Sequence, residues 1–324
     1  MTLCFMKRSS PSVPQFALPG LMTALHISLG HPAPSQLKKV FDRYFFAIKS
    51  SEVVDHVSVQ CSQCSSLRKL PRQLCPQSGT VLADRPGTNF YADVMRRATQ
   101  KILVTRDTFS SFTNVMLIPD ETGVQLRSAL ILTTSLLRMD CCTVQVDNAP
   151  GFVTLRDDKL LLQKGIMLDY GRVKNVNKSC VVDKAVQELE LEILKIDDSG
   201  SAVTAVQLQQ ATDTLNSRIR NRSLSAKEIL LQRDQVTGRQ LSFKDSLLSQ
   251  EQQLVRQQNR EYSSKSKARG ASSVPDVDFS AGDLVFIRSE GDKNHGREQY
   301  LVMGIQGDKA SVQKFHRGSF MSRR

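Results

Sequence analysis

The stretch Val144–Phe152 reads VQVDNAPGF. Val144 and Val146 alternate with Gln145, the two-residue period of a half-buried strand. Asp147 and Asn148 stand where the strand ends, and Pro150-Gly151 turns the chain beyond it. Asp and Asn are ordinary turn residues, so by itself the stretch reads as a turn. A strand end is also where a sheet can hold a catalytic carboxylate rigidly. The surrounding sequence decides between the two.

Upstream, NFYADVM (Asn89–Met95), KILVTRD (Lys101–Asp107) and FTNVMLI (Phe112–Ile118) are short runs rich in β-branched residues and read as strands. Gly123–Arg138 reads as an amphipathic helix, CTVQVD (Cys142–Asp147) and GIMLDY (Gly165–Tyr170) as strands. NKSCVVDKAVQELELEIL (Asn177–Leu194) reads as a helix capped by Ser179, with Val182, Val186, Leu189 and Ile193 as its buried stripe. The order β-β-β-α-β, then strand or turn, then α, belongs to the α/β class.

Within that order lie three acids. Asp93 sits mid-strand between apolar neighbours, an expensive place for an unneutralised carboxylate. Asp147 ends the fourth strand, and Asp183 lies in the first turns of the last helix, off its apolar stripe. If the first and fourth strands are neighbours and the helix packs across them, the three converge. Converging carboxylates repel unless divalent cations lie between them, and hard oxygen ligands select Mg2+ or Mn2+. Two such ions make a phosphoryl-transfer site.

A second constellation precedes the strands. His26 and His31 flank ISLG, and Cys61-Ser-Gln-Cys64 is a C-x2-C pair. Pro32–Val57 between them reads as helix, with Ser35 as a candidate N-cap and Leu37, Val40, Phe41, Tyr44, Phe45 and Ile48 at helical spacing. Two imidazoles and two thiolates suit a closed tetrahedral Zn2+ site. His56 is the alternative to one of the histidines.

Composition agrees with a nucleic-acid partner. The 324 residues carry 44 Lys plus Arg against 32 Asp plus Glu, a net charge of +12. No apolar run approaches the roughly 20 residues that span a bilayer, so no membrane association is expected. MKR at Met6–Arg8 lacks the apolar stretch of a signal peptide. Seven cysteines, an odd number, argue for reduced thiols rather than a disulfide framework. Arg172, Lys174, Lys178 and Lys184 surround the start of the Asp183 helix, and Arg218, Arg220 and Arg222 form a denser cluster. As sets, both are candidates for holding DNA phosphates. From about Gln235 the chain turns into a Gln-, Ser-, Lys- and Arg-rich linker. FSAGDLVFIR, QYLVMGI and KASVQKF then read as three strands of a small SH3-like barrel.

Taken together, these segments resemble the integrases of gypsy-like long-terminal-repeat retrotransposons and their retroviral relatives. HISLGHPAPSQLKKV with CSQC resembles that family's HHCC zinc domain. FYADVM, VQVDNAPGF and GRVKNVNKSCVVDKAVQELE resemble its three DDE segments, with thirty-five residues between Asp147 and Asp183. LNSRIRNRSLSAKEILLQRD resembles the helical segment that follows the core, and the C-terminal strands more weakly resemble the family's last domain. The resemblance implies a ribonuclease-H-like mixed-sheet core, a helical zinc domain and an SH3-like barrel. It implies DNA integration: a 3′-hydroxyl of element DNA attacks a target phosphodiester, Asp93 bridging two Mg2+ or Mn2+ ions, Asp147 on one and Asp183 on the other.

Two departures stand out. The family's third acid is Glu where this chain has Asp183, and Glu188, Glu190 and Glu192 fall at the wrong spacing. Ala149 follows the Asp-Asn pair where retroviral enzymes carry Gly or Ser. The first leaves three readings open: a strand transferase, a catalytically silent DNA-binding scaffold derived from one, and a nuclease of the same fold. The expected divisions are a tail (1–20), the zinc domain (21–75), a linker (76–87), the core with its helical extension (88–235), a basic linker (236–277) and the C-terminal domain (278–324), whose truncation is left open. The expected partners are DNA and further copies of the chain, with no small-molecule substrate. The expected location is the nucleus, cytoplasm not being ruled out.

Overall fold

The computed structural model describes residues 11–67, 83–138, 140–170, 180–220, 223–251, 253–254, 280–286, 299–306, 309–316 and 319–320. Ser179 and most of the expected basic linker lie outside them.

Three antiparallel strands open the core: β1 (Asn89–Arg97), β2 (Gln100–Asp107) and β3 (Thr113–Ile118). After α5 (Gly123–Ser135) the chain returns through β4 (Cys142–Val146), and after the short α6 (Pro150–Val153) and α7 (Lys159–Gln163) through β5 (Ile166–Tyr170). Both of these run parallel on the far side of β1, giving the order β3-β2-β1-β4-β5. Three antiparallel strands continued by two parallel ones, with helices on both faces, is the ribonuclease-H-like arrangement.

Period two sorts the strand residues. Phe90, Ala92, Val144 and Val146 pack with Leu126, Ala129 and Leu130 of α5 on one face. Tyr91, Met95, Ile102 and Val104 face α8 (Cys180–Ile196) and α9 (Ala205–Ser217) on the other. The buried stripe of α8 is Val182, Ala185, Leu189 and Ile193, with Val186 half-buried beside it. Thr204 caps α9 in a capping box with Gln207.

Gly151 is required where it stands. A methyl group on it would meet the Glu121 carbonyl oxygen at 2.0 Å. The start of α6 after Asp147 is thereby pressed against Glu121, two residues before α5.

The N-terminal helices are α1 (Leu18–Ser28), α2 (Pro34–Tyr44), α3 (Ser50–Gln60) and α4 (Ser62–Leu67), with their own core of Leu18, Met22, Leu37, Phe41 and Val54. The single helix read over Pro32–Val57 is two. Phe45 leaves α2 in extended conformation and Lys49 takes a left-handed φ of 59° before α3. The α2 N-cap is Ala33 with Pro34 in the first turn, so Ser35 is an interior helical residue. Phe46 and Ile48, beyond the helix, are exposed.

This unit docks on the segment after α9. Arg43 pairs with Glu228 at 2.9 Å and Asp234 at 2.8 Å, and the Tyr44 hydroxyl donates to Asp234 at 2.9 Å. Glu228 belongs to α10 (Ala226–Leu231), whose N-cap is Ser225. At the C-terminal end β6 (Leu284–Phe286), β7 (Gln299–Gln306), β8 (Lys309–His316) and β9 (Ser319–Phe320) form a second sheet, an antiparallel meander in that order.

Candidate active site and zinc centre

The strand register brings the first two acids together. Parallel pairing of β1 with β4 matches Asn89 to Thr143, Phe90 to Val144 and Tyr91 to Gln145. The same offset carried two residues further sets Asp93 level with Asp147. Alternation puts Asp93 between Tyr91 and Met95, on the face covered by α8. Asp183, in the first turn of α8, enters from that side.

Asp93 is half-buried, and its Oδ1 accepts the Val94 backbone N–H at 2.8 Å. Burial pushes its pKa up to about 6, against that hydrogen bond, and the carboxylates of Asp147, Asp183 and Glu121 push it further. Burial also raises Asp183, with Asp147 as the second cause. Asp93 and Asp183 thus both feel the Asp147 carboxylate. Asp147 answers the opening question both ways: its Oδ1 accepts the Ala149 N–H at 3.1 Å, an Asx turn, while the carboxylate stays within electrostatic reach of the other two acids. The three carboxylates lie within electrostatic reach of one another but are not gathered as tightly as a preformed ligand cage.

A pH dependence follows. A carboxyl whose folded pKa lies above its unfolded value contributes stability at low pH, and that contribution is lost as pH rises through the folded value. In buffer without Mg2+ or Mn2+, Asp93 should therefore cost the fold stability as pH rises from about 4 to 6. Asp93→Asn should match wild type near pH 4 and exceed it by on the order of 2 kcal/mol at neutral pH. Urea denaturation at the two pH values checks this; equal midpoints at both would contradict it.

Glu188, Glu190 and Glu192 are committed elsewhere. Glu188 pairs with Arg106 of β2 at 2.7 Å and with Arg220 at 3.3 Å. Glu190 pairs with the fully buried Arg97 of β1, and Glu192 with Arg218 and, at 3.0 Å, Lys195. None is available as a third metal ligand. Of the arginine cluster, Arg218 pairs with Glu192 and Arg220 with Glu188, both on α8. Lys184 is exposed beside Asp183. Arg172, Lys174, Lys178 and Arg222 lie outside the described residues. The sequence reading missed Arg97 and Arg106, because an arginine inside a strand pattern carries no mark of its distant partner.

The second constellation closes. His26 lies in the last turn of α1, His31 follows Gly30 in a left-handed turn, Cys61 caps α3 and Cys64 lies in α4. Their ligand atoms lie within 4.8 Å of one another, and no other His, Cys, Asp or Glu group among the described residues is so compact. His26 Nε2 is 3.2 Å from His31 Nδ1 and 3.3 Å from Cys64 Sγ, and Cys61 Sγ is 3.2 Å from His31 Nδ1. Tetrahedral Zn2+ with bonds of about 2.0–2.3 Å gives ligand–ligand edges of roughly 3.3–3.8 Å. The four groups therefore fit zinc, and His56, exposed on α3, is outside the set.

Burial lowers both histidines, aided by Lys195 and, for His26, by His31, which favours the neutral ligand form. Burial pushes the Cys64 thiol up to about 12, with Cys61 adding to the shift. Zinc must displace thiol protons, so binding at pH 7 should release protons into a weak buffer. One zinc per chain is expected by elemental analysis, falling sharply in Cys64→Ser. A full zinc content in that variant would exclude Cys64 as a ligand.

No family model matches the sequence. No curated protein matches it either. Among solved structures, the chain is similar to one from the simian T-cell lymphotropic virus intasome in complex with PP2A regulatory subunit B56 gamma. That similarity has 14% identity, a TM-score of 0.44, and covers 90% of this chain and 95% of the other. It is also similar to the catalytic core domain of BIV integrase, at 23% identity and a TM-score of 0.38, over 45% of this chain and 95% of that one. The strand order and register, not these overlaps, define the fold.

Proposed function

We propose that this protein is a divalent-metal-dependent DNA strand transferase of the integrase type, joining element 3′-hydroxyl ends to target DNA. The observation that carries the reading is the register that sets Asp93 beside Asp147, under the helix bearing Asp183, in a ribonuclease-H-like sheet. When bound, two Mg2+ or Mn2+ ions supply activation of the attacking oxygen and stabilisation of the leaving oxygen. Asp93, Asp147 and Asp183 would hold these ions, Asp93 from within β1, Asp147 from the end of β4 and Asp183 from the first turn of α8. The Asx turn at Asp147 fixes that carboxylate relative to β4. The zinc centre is structural, the enzyme works as a homo-oligomer on DNA, and its place is the nucleus.

The test is strand transfer by the purified chain. A labelled duplex with a recessed 3′ end is incubated with plasmid DNA and Mg2+ or Mn2+. Joined product supports the reading, and cleavage without joining indicates a nuclease.

A second reading, a DNA-binding scaffold without catalysis, is favoured by Asp183. It is shorter than the Glu that the family resemblance leads one to expect, and the glutamates that follow it are locked in ion pairs. DNA binding with neither cleavage nor joining would select it.

Both readings require DNA affinity driven by the net charge of +12. Counterion release makes log affinity fall linearly with log salt, and five or six neutralised phosphates cost on the order of a thousandfold between 50 and 200 mM. Fluorescence anisotropy across that range checks this; a flat response would contradict it.

A further inference from the structure

One largely enclosed side chain ties the His26–His31 loop to the helix that carries Asp183. Lys195, in the last turn of α8, extends its ammonium to the Gly30 carbonyl oxygen at 2.8 Å and the His31 carbonyl oxygen at 3.0 Å. It also donates to both carboxylate oxygens of Glu192, at 3.0 and 3.2 Å. Glu192 is only 2% exposed and pairs in turn with Arg218, beyond α9. In the reverse direction the Gln63 side-chain amide, between the two cysteines, donates to the Lys195 carbonyl. The loop between the histidines leaves no slack: a methyl group on Gly30 would come within 2.6 Å of Thr214 on α9.

We infer that Lys195 couples the zinc centre to the proposed catalytic core, acting as a positioning residue for both; this rests on the zinc reading above. The physical reason is the cost of a buried ammonium. All four of its hydrogen bonds, to three residues, exist only while the His26–His31 loop and Glu192 stay in place, and an ammonium enclosed without them is strongly destabilised. Zinc fixes that loop through His31, whose carbonyl Lys195 binds. An outer contact of this kind orients a ligand and is worth about 10–100-fold in metal affinity. Coupling is reciprocal, so what Lys195 contributes to zinc affinity, zinc returns to the order of α8. Asp183 stands on the same helix, about 18 Å away by the helical rise.

The test uses the full chain and zinc itself. Zinc affinity is measured by chelator competition for wild type, Lys195→Met, Lys195→Arg, Gln63→Ala and, as a control, Lys38→Met, a residue that pairs with Asp42 on α2. Lys195→Met should bind zinc at least about tenfold more weakly, Lys195→Arg and Gln63→Ala less so, and Lys38→Met as wild type. Hydrogen exchange in wild type, which needs no variant to fold, should show faster exchange over residues 187–196 after zinc removal. In Lys195→Met, exchange there should already be fast and respond little to zinc. Wild-type-like zinc affinity in Lys195→Met, or exchange in wild type that ignores zinc, overturns the coupling while leaving the zinc centre standing. Absence of zinc binding in wild type overturns both.

Discussion

Asp93→Asn and Asp147→Asn should each lower strand transfer by roughly a thousandfold or more while leaving the fold intact. Each change removes a metal-ligating charge and almost no volume. Metal-borne stabilisation of a phosphoryl transition state is worth several kcal/mol, and about 4 kcal/mol is a thousandfold in rate. Circular dichroism and zinc content should match wild type, because neither residue touches the zinc centre. Residual transfer near the wild-type rate in either variant would place the chemistry elsewhere.

Asp183 extends the same test. Its carboxylate reaches roughly 1–1.5 Å less far than that of Glu, a misplacement worth about a hundredfold. Mg2+ holds near-ideal octahedral geometry and does not absorb such a gap. The helix cannot slide to close it, since Val182, Ala185, Leu189 and Ile193 are packed on the sheet and its glutamates are gripped by arginines. Asp183→Glu should therefore raise Mg2+-dependent transfer. Equal activity in the two proteins would refute the geometric argument. An Asp183→Glu protein that binds DNA but joins nothing would select the scaffold reading.

The second large effect is on stability. Arg97 is fully buried; it pairs with Glu190 and donates to the Ser201 carbonyl at 2.9 Å and the Asp197 carbonyl at 3.2 Å, closing the α8–α9 connection onto β1. Arg97→Met should destabilise the core by about 3–5 kcal/mol, because it removes a fully buried guanidinium from its ion pair with the half-buried Glu190 and from the Ser201 and Asp197 carbonyls. Arg97→Met/Glu190→Leu should recover much of that loss, since an apolar pair of similar volume often matches a buried ion pair. Denaturant unfolding of the single and double variants checks both, and a double variant no better than the single would show that the carbonyl contacts carry the effect.

Acid should release the neighbouring pair. Burial alone would raise Glu188, but Arg106 and Arg220 hold it at about 2. Burial pulls Arg106 down to about 10, so both partners stay charged at neutral pH. A carboxylate depressed in the folded state stabilises above its unfolded pKa, and that contribution is lost as pH falls through the folded value. The loosening of α8 from β2 is thus expected below about pH 4.5 and complete near pH 2.

Much of this was legible in the sequence because it depends on local pattern. Short runs rich in β-branched residues marked β1 to β5, helical spacing marked α5 and α8, and His26, His31, Cys61 and Cys64 suggested a tetrahedral donor set by residue type and spacing. Asp93, Asp147 and Asp183 could be singled out as carboxylates in costly or rigid positions, but only the parallel register of β1 with β4 sets the first two side by side. The break between α2 and α3 was invisible, because Phe45, Phe46 and Ile48 continue the apolar spacing while the backbone turns at Lys49. Charge by itself gave no sign of a partner distant in sequence. Arg218 and Arg220 look like a surface cluster until Glu192 and Glu188, about thirty residues away, are brought against them. Lys195 is an unremarked residue at a helix end until the docking of the His26–His31 loop gives it two carbonyls to bind. Local periodicity and donor chemistry are properties of the chain itself; long-range ion pairs and register exist only once packing has excluded water and left each buried charge with one neighbour to meet.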